Sequence, residues 1–325
     1  MAAAPAYVKH DLDGADFARD FGFGQALYPK LVIGVPITPV TGRRILVAAG
    51  TDRAVAARAL IGAGRELCRE ERLSGVQVLF PDEDDAALLE EIGMHRRVDF
   101  QAHWHNRGYP DVAAWVASLD SKRRHQYRRE TSFPKQQGIT IRTVRGQEIA
   151  EDPEDWGRTV WKLYDATLGK MGFWGGRRLN EAFFLRVFRA LPGACEVVEA
   201  RREGRLIAGA WNLSSSTHLF GRYWGCFEEH PFLHFNVCLY HSIEDCVVRG
   251  LEVFEGGAGG QHKIFKGFDL SPTYSLHTYL EPRIDDTLAR YFAVEREERL
   301  SQLRSARDRD RPRTGTTPPG RSRPR

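Results

Sequence analysis

The sequence predicts a mixed α/β fold made of two consecutive lobes. Residues 1–118 alternate short apolar strands with helices, which favours helices packed on a mixed sheet. Residues 119–300 instead give three strands joined by short turns, followed by a helix, a strand and a last strand. Residues 301–325 are almost free of apolar side chains. We therefore expect an N-terminal lobe over 1–118, a C-terminal lobe over 119–300 and a tail over 301–325.

The elements of the first lobe follow from its local patterns. Short runs rich in Val, Ile and Leu indicate buried strands, and a longer Ala- and Leu-rich run indicates a helix. In chain order we predict strands at 31–36 and 44–48, a helix at 53–73, a strand at 76–80, a helix at 82–91 and a strand at 98–105.

The second lobe is patterned more clearly. Trp156, Val160, Tyr164 and Leu168 recur at helical spacing and mark the apolar side of its first helix. Gly250 is placed to end a later helix as its C-cap. We predict a further helix at 181–190, strands at 195–200, 206–213 and 218–223, a helix at 235–249, strands at 251–254 and 274–280, and a helix at 284–303.

Between the lobes, residues 111–129 indicate a helix with a dense run of cations. Positions 124 and 128 are four residues apart, as are 125 and 129, so the charges form a stripe. A basic stripe of this kind fits contact with phosphate or RNA. A solvated helix between the lobes is the alternative. The cations are Lys122, Arg123, Arg124, Arg128 and Arg129.

Composition and charge exclude several classes of protein. The net charge is +4, but residues 301–325 hold eight Arg and two Asp, so the rest of the chain sums to −2. The basic charge thus belongs to a tail that we expect to be disordered. The chain has neither a membrane-spanning apolar run nor a signal-peptide start. Five scattered cysteines without a C-x-x-C pair indicate reduced thiols, a cytoplasmic protein and no structural zinc.

The clearest chemical signal is EGGAGGQHKIFKGF, residues 255–268. A short strand leads into Gly257, Gly259 and Gly260, and Lys263 and Lys266 follow at once. Glycine lets main-chain N–H groups approach a ligand, and successive N–H groups can bind an anion. The stretch therefore predicts an anion or oxyanion site. A flexible connection with solvated lysines is the alternative, because the P-loop motif is absent.

Longer stretches are more specific than single motifs. Four of them, in order along residues 5–300, resemble the Fem-like family labelled peptidoglycan biosynthesis/recognition, in the GNAT (acyl-CoA N-acyltransferase) superfamily. The resemblance implies two GNAT-like lobes, with the acyl donor beside a splayed pair of strands in the second. The stretches are YPKLVIGVPITPVTGRRIL (28–46), HWHNRGYPDVAAWVASLDSKRRHQYRRE (103–130), FGRYWGCFEEHPFLHFNVCLYHSIEDCVVRGL (220–251) and EGGAGGQHKIFKGFDLSPTYSLHTY (255–279).

The chain departs from this family in two respects. Family members carry an extra stretch ahead of the segment that matches residues 6–9, so we expect a first lobe shortened at its N-terminus. The family also commonly has a glutamate at the position of Asn236 and G-E-H-K where this chain has Gly260, Gln261, His262 and Lys263. An amide cannot accept a proton at neutral pH, so only hydrogen bonding remains at Asn236 and Gln261.

The resemblance implies amide formation from an activated ester or thioester. Such chemistry needs a donor cradle, an oxyanion stabiliser and a route for the amine proton. We assign Lys263 to stabilising the acyl oxyanion or holding a phosphate, His262 to proton transfer and Glu255 to orienting the acceptor amine. The alternatives are a surface lysine, a packed histidine and a loop-bonded acid. Candidate substrate-binding residues are Arg222, Tyr223, Trp224, Asn236, Tyr240, Gly257, Gly259, Gly260, Gln261 and Lys266.

A metal site is not expected. His103 and His105 share one face of a strand, but no third ligand accompanies them. We also expect no bound cofactor, since the acyl donor is a co-substrate.

The donor remains open between two classes. CoA enzymes of this fold grip pyrophosphate at a glycine-rich helix N-terminus, whereas this chain has CFEEHPFLHF there. Aminoacyl-tRNA therefore fits better, with the basic stripe contacting tRNA or a nucleotide-linked substrate. The acceptor would be a small amine or a muropeptide, in cell-wall or specialised-metabolite biosynthesis. The alternatives are a CoA-dependent N-acyltransferase and a non-catalytic protein that binds peptidoglycan or RNA.

Overall fold

The computed structural model describes residues 1–10, 24–171, 178–257, 259 and 261–310. Its strands, in chain order, are β1 (Ala2–Ala3), β2 (Ala6–Lys9), β3 (Lys30–Ile33), β4 (Leu46–Val47), β5 (Gly75–Leu79), β6 (His95–His105), β7 (Ile139–Arg145), β8 (Cys195–Arg202), β9 (Arg205–Ser214), β10 (His218–Cys226), β11 (Val253–Glu255) and β12 (Asp269–Tyr279).

Helices cover both faces of the sheet. A π-helical turn, Asn236–Tyr240, joins α8 to α9, and a 3-10 turn, Gln261–Lys266, precedes β12. The α-helices are α1 (Arg53–Glu70), α2 (Glu83–Glu91), α3 (Val112–Ser118), α4 (Ser121–Gln136), α5 (Gln147–Glu151), α6 (Pro153–Met171), α7 (Glu181–Ala190), α8 (Leu233–Phe235), α9 (His241–Arg249) and α10 (Pro282–Asp310).

Ten strands form one continuous mixed sheet in the order β2-β3-β5-β12-β6-β11-β10-β9-β8-β7, beside a small pair β1-β4. The run β3-α1-β5-α2-β6 is repeated as β10-α8/α9-β11-turn-β12, with parallel pairing of β3 with β5 and of β10 with β11. These repeats are the two GNAT-like lobes of a mixed α/β fold. The sequence prediction of the fold class is confirmed.

The lobes exchange their last strands. β12, the final strand of the chain, lies between β5 and β6 and pairs antiparallel with both. β6, the last strand of the first lobe, pairs in turn with β11 of the second. Each lobe therefore completes the sheet of the other. The exchange brings the carboxyl end of β6 beside the glycine-rich stretch, some 150 residues further on.

Several local elements differ from the prediction. The helix expected over 111–129 is two helices, because Asp120 ends the extended link after α3 and caps α4 by accepting from Arg123 N–H. The helix expected over 235–249 is interrupted by the π-helical turn. The edge strand β7 was not predicted. α10 continues to Asp310 with Leu303 buried, so the predicted tail begins too early, and residues 311–325 lie outside the described ranges.

Two further expectations concern membranes and thiols. No helix in the described ranges combines the length and apolarity that crossing a bilayer requires. All five cysteines are described, and each is a free thiol.

Candidate active site

The two parallel strands of the second lobe pair briefly and then part. β10 and β11 are in register from His218 opposite Val253 to Phe220 opposite Glu255. β11 ends there, whereas β10 continues to Cys226 past a register shift between Gly221 and Tyr223. We call the resulting gap the second fork. A fork in a sheet joins its two faces, so groups from both faces can meet there.

Glu255 lies at the mouth of the second fork and is almost completely buried. Its Oε2 accepts a hydrogen bond from Thr41 N–H at 3.2 Å and lies 3.8 Å from His103 Nε2. Burial raises the pKa of Glu255 to about 7, against a smaller lowering by Thr41 and Arg44. A carboxyl of that pKa changes its protonation near neutral pH, as a general base must.

The wall beside Glu255 comes from the first lobe. Residues 34–43, which we call the first-lobe loop, cross over the second fork after β3. Arg222 donates to Ile37 O and Thr38 Oγ1 at 3.0 and 3.1 Å, and Gln101 Nε2 donates to Pro39 O at 3.2 Å. Ile37 has a φ of +55°, a strained conformation for a β-branched residue. The loop is thus held in place by β10, β6 and Glu255.

Lys263 reaches the second fork from the other face. Its 3-10 turn packs against α4 and the π-helical turn. Nζ donates to Gly257 O at 2.7 Å and Gly259 O at 2.9 Å, and among the described residues no carboxylate pairs with it. Burial therefore lowers the pKa of Lys263 to about 8. An ammonium has three N–H donors, so one remains for a ligand.

The glycines make contacts that the prediction did not include. Gly257 and Gly259 have φ of +81° and +72°, as expected of a turn that favours glycine. Their carbonyl oxygens accept hydrogen bonds from Lys263 Nζ. The loop therefore fixes the position of the Lys263 ammonium. Gly260 and the side chain of Gln261 lie outside the described residues.

Aromatic rings and histidines flank Lys263. His262 is exposed and lies 5.7 Å from the Phe235 ring and 6.4 Å from the His234 ring, which in turn lies 5.2 Å from Trp224. Partial desolvation and the charges of Lys263 and Lys266 lower the pKa of His262 below its ordinary value. His262 and Trp224 are thus placed at the entrance on the Lys263 face.

Arg222 and Tyr223 take different positions. Arg222 is held by the first-lobe loop, no carboxylate pairs with it among the described residues, and burial lowers its pKa. Tyr223 packs against Tyr164 and Trp211 at ring distances of 4.8 and 6.0 Å. Tyr223 therefore packs chiefly against the core of the second lobe.

Three further candidates do not line the second fork. Asn236, Tyr240 and Lys266 surround the buried Glu130 of α4. Lys266 Nζ lies 2.5 Å from Glu130 Oε2, and Tyr240 OH donates to the same oxygen at 2.9 Å. Burial alone would raise the pKa of Glu130, but Lys266, Gln126 and Tyr240 hold it below its usual range. These groups satisfy one another, so we interpret them as structural, contrary to the prediction.

Asn236 explains one departure from the family. Its Nδ2 donates to both Glu130 O and Phe232 O at 2.9 Å. A carboxylate at this position would place a carboxylate oxygen, which cannot donate, against the carbonyl oxygens of Glu130 and Phe232. We expect Asn236→Asp to lower the free energy of unfolding by about 1–3 kcal/mol, measured by denaturant titration. Asn180→Asp is the matched control, since Asn180 caps α7 by accepting from Phe183 N–H, which aspartate does equally well. Equal losses in both variants would contradict this role.

The basic stripe lies on α4, next to the turn that carries Lys263. Arg124 is used to bind Ala117 O and Leu119 O at the end of α3, and Arg123 lies 3.3 Å from Asp120. Lys122, Arg128 and Arg129 are exposed. Lys122 and Arg128 therefore remain available on the surface, and the exposed Arg129 beside them also lies 3.7 Å from Glu130 Oε1.

The corresponding gap in the first lobe is filled. Arg44 is buried between the ends of β3 and β5, where Nε donates to Leu79 O at 2.7 Å and Nη2 to Val40 O at 2.5 Å. Asp85 accepts from the main-chain N–H groups of Arg44 and Ile45. Only the second lobe, among the described residues, therefore offers an open fork with a carboxyl and a cation.

Sequence reasoning considered His103 only as a metal ligand and missed Gln101 and Thr41. His103 lies opposite Glu255 because β6 pairs with β11, Gln101 contacts His103, and Thr41 N–H donates to Glu255 from the first-lobe loop. A signal existed in the alternation of the polar residues 101, 103 and 105 with the apolar residues 100, 102 and 104.

A continuous sheet with two βαβ repeats, exchanged last strands and one open fork defines a protein with tandem GNAT-like lobes. The chain belongs to the FemAB-like family described as peptidoglycan biosynthesis/recognition, whose profile matches residues 1–312. No curated protein sequence is significantly similar to it.

Solved structures share the fold at low identity. The C-terminal domain of a putative lysylphosphatidylglycerol synthetase from Agrobacterium fabrum is 12% identical, with a TM-score of 0.52 over 84% of this chain and 80% of that one. L-PGS from Bacillus licheniformis is 10% identical, with a TM-score of 0.50 over 80% and 82%. FemX is 10% identical, with a TM-score of 0.48 over 80% and 86%.

Proposed function

We propose that the chain is an amide-forming transferase that moves an aminoacyl group from tRNA to an amine of a peptidoglycan precursor or a related metabolite in the cytoplasm. The observation that carries this proposal is the second fork, where Glu255 and Lys263 approach from opposite faces of the sheet. Family membership supports the peptidoglycan context. The acceptor amine would enter on the Glu255 face and the acyl donor on the Lys263 face.

The two groups have complementary roles. Lys263 has one free N–H donor for the acyl carbonyl, and its positive charge would stabilise the oxyanion that forms when the amine attacks. Glu255, with a pKa of about 7, would accept the amine proton. His262 and Trp224 would border the donor, and Arg222 would hold the acceptor side together with the first-lobe loop.

Surface charge favours tRNA over CoA as the donor. The helix that follows β10 begins at Leu233 without a side-chain cap, and Glu228 and Glu229 precede it. Two acids are a poor setting for a pyrophosphate. The exposed Lys122, Arg128 and Arg129 lie instead on α4, beside the turn of Lys263. Cations in this position would contact the phosphates of an acceptor stem.

The test is transfer of a labelled acyl group by the full chain. Radiolabelled aminoacyl-tRNA or acyl-CoA is incubated with nucleotide-linked muropeptides and small amines, and amide products are separated. We expect product from aminoacyl-tRNA, and about 10²–10³-fold less in Lys263→Met. Product only from acyl-CoA would assign the alternative donor. No product from either, with salt-sensitive binding of RNA or muropeptide retained, would assign a non-catalytic protein.

A further inference from the structure

Amide formation from an ammonium acceptor requires two proton transfers. The R–NH₃⁺ group must lose one proton before its nitrogen can attack. The amine loses a second proton as the C–N bond forms, and that proton goes to the leaving oxygen as the ester C–O bond breaks. A single buried carboxyl can carry only one proton at a time. The first proton therefore needs an exit before Glu255 can act again.

His103 places a ring nitrogen within ion-pair distance of Glu255. His103 Nε2 lies 3.8 Å from Glu255 Oε2, and both side chains are buried. The two residues are register partners on β6 and β11, so the sheet itself fixes their separation. The contact joins the last strand of the first lobe to the catalytic strand of the second.

Gln101 places a hydrogen-bond acceptor beside the nitrogen of His103 that receives the proton. Its Nε2 donates to Pro39 O at 3.2 Å, which turns Oε1 toward His103 Nε2 at 3.4 Å. An oxygen in this position can accept a hydrogen bond from Nε2 only when that nitrogen is protonated.

A path onward from His103 follows the same face of β6. The His105 ring is 6.3 Å away, and His105 Nε2 lies 2.8 Å from Ser271 Oγ on β12. His105 is only half-buried, so this end of the path is nearer to solvent.

We propose that His103 is the positioning residue that takes the first proton from Glu255 and passes it toward His105 and solvent. The step is balanced: the ammonium N–H bond breaks, Glu255 is protonated, His103 Nε2 takes that proton, and the Glu255 carboxylate is restored for the attack. This inference rests on the proposed function, in which Glu255 serves as the base.

The charges around His103 keep it a transient carrier. Burial, together with His105, His218 and Lys263, lowers the pKa of His103 to about 4. Asp269 is its register partner on β12 but is engaged by Arg107 at 2.9 Å. Arg44 acts on Glu255 from the first-lobe loop side. An imidazole in these surroundings releases its proton readily and does not trap it.

Coupled titration of the two groups tests the proposal without any substrate. Glu255 carboxyl and His103 ring signals are followed by NMR against pH in the full ¹³C,¹⁵N-labelled chain. We expect the His103 ring signals to show a step at the Glu255 midpoint near pH 7, because Nε2 faces the carboxyl that ionises there, and Glu255→Gln to remove that step. His95→Gln, on the same strand but paired with Asp285, should leave the step in place. His103 ring signals that do not respond as Glu255 titrates would overturn the proposal.

The reaction supplies the second readout. In His103→Gln we expect kcat for amide formation to fall about ten- to a hundredfold with KM unchanged, and added imidazole to restore it in His103→Gly. A fall that imidazole does not reverse and that also occurs in His95→Gln would indicate a structural role. If the His103 signals follow the titration of Glu255 but neither the wild-type chain nor any variant transfers an acyl group, the proposed function fails. The contact between Glu255 and His103 is then still supported.

Discussion

Replacing Glu255 with glutamine is expected to lower kcat for amide formation by about 10²–10⁴-fold. Glutamine keeps the shape of the side chain and its hydrogen bond from Thr41 N–H, but it cannot take a proton. The wild-type rate should rise with pH through about 7, because the base must be ionised. Single-turnover rates measured from pH 5 to 9 check both expectations. Glu252→Gln, an exposed neighbour just before β11, is the control.

The same carboxyl predicts the direction of a stability change. Glu255 has a pKa of about 7 in the folded chain against an ordinary value of 4.5, so the folded state binds more protons between these values. The free energy of unfolding contributed by this group therefore falls as pH rises from about 4.5 to about 7. Glu255→Gln should remove that fall. A wild-type rate independent of pH in this range, or a variant as active as wild type, would show that Glu255 is not the base.

Removing Lys266 is expected to have the largest effect on stability. Lys266 and Glu130 are both nearly inaccessible to solvent, so Lys266→Met leaves a buried carboxylate with only a looser contact to the exposed Arg129, 3.7 Å away. We expect a loss of about 3–5 kcal/mol in the free energy of unfolding, measured in denaturant. Glu130→Gln in the same chain should recover most of it, because neither charge then remains. Lys135→Met, at an exposed site on the same helix as Glu130, should change the free energy of unfolding little.

Glu130 changes the free energy of unfolding with pH in the direction opposite to Glu255. The pKa of Glu130 lies below its usual range, so the folded state favours the carboxylate. The stability that this group contributes is present above its unfolded pKa and is lost as pH falls through the folded value. Additive losses in Lys266→Met and Glu130→Gln, with no recovery in the double variant, would argue against a direct ion pair.

Local structure could be predicted where short-range chemistry decides it. Asp52 and Asn180 accept hydrogen bonds from the first turns of α1 and α7, which start where the sequence places them. Gly250, with a φ of +70°, ends α9 as predicted. The antiparallel strands β8, β9 and β10 also lie where the apolar runs and the short turns between them predict strands.

The candidate site was predictable only in part. Glu255 and Lys263 are eight residues apart in one glycine-rich stretch, so sequence alone brings them together. His103 and Glu255 are neighbours only because β6 pairs with β11, and apolar strands do not reveal their partners. The sequence predicts ligand binding for Lys266 because its ion-pair partner, Glu130, lies on α4, far earlier in the chain, and sequence alone does not show their contact.

The exchanged strands also govern how this chain can assemble. β5 cannot pair along its second edge until β12, about 200 residues later in the chain, has been synthesised and has inserted beside it. Pairings of such high contact order form late and slowly, because a long loop must close before any contact repays its entropy. Neither lobe should therefore be a separate folding unit. The second fork and its His103 contact therefore form together, in the closing step of folding.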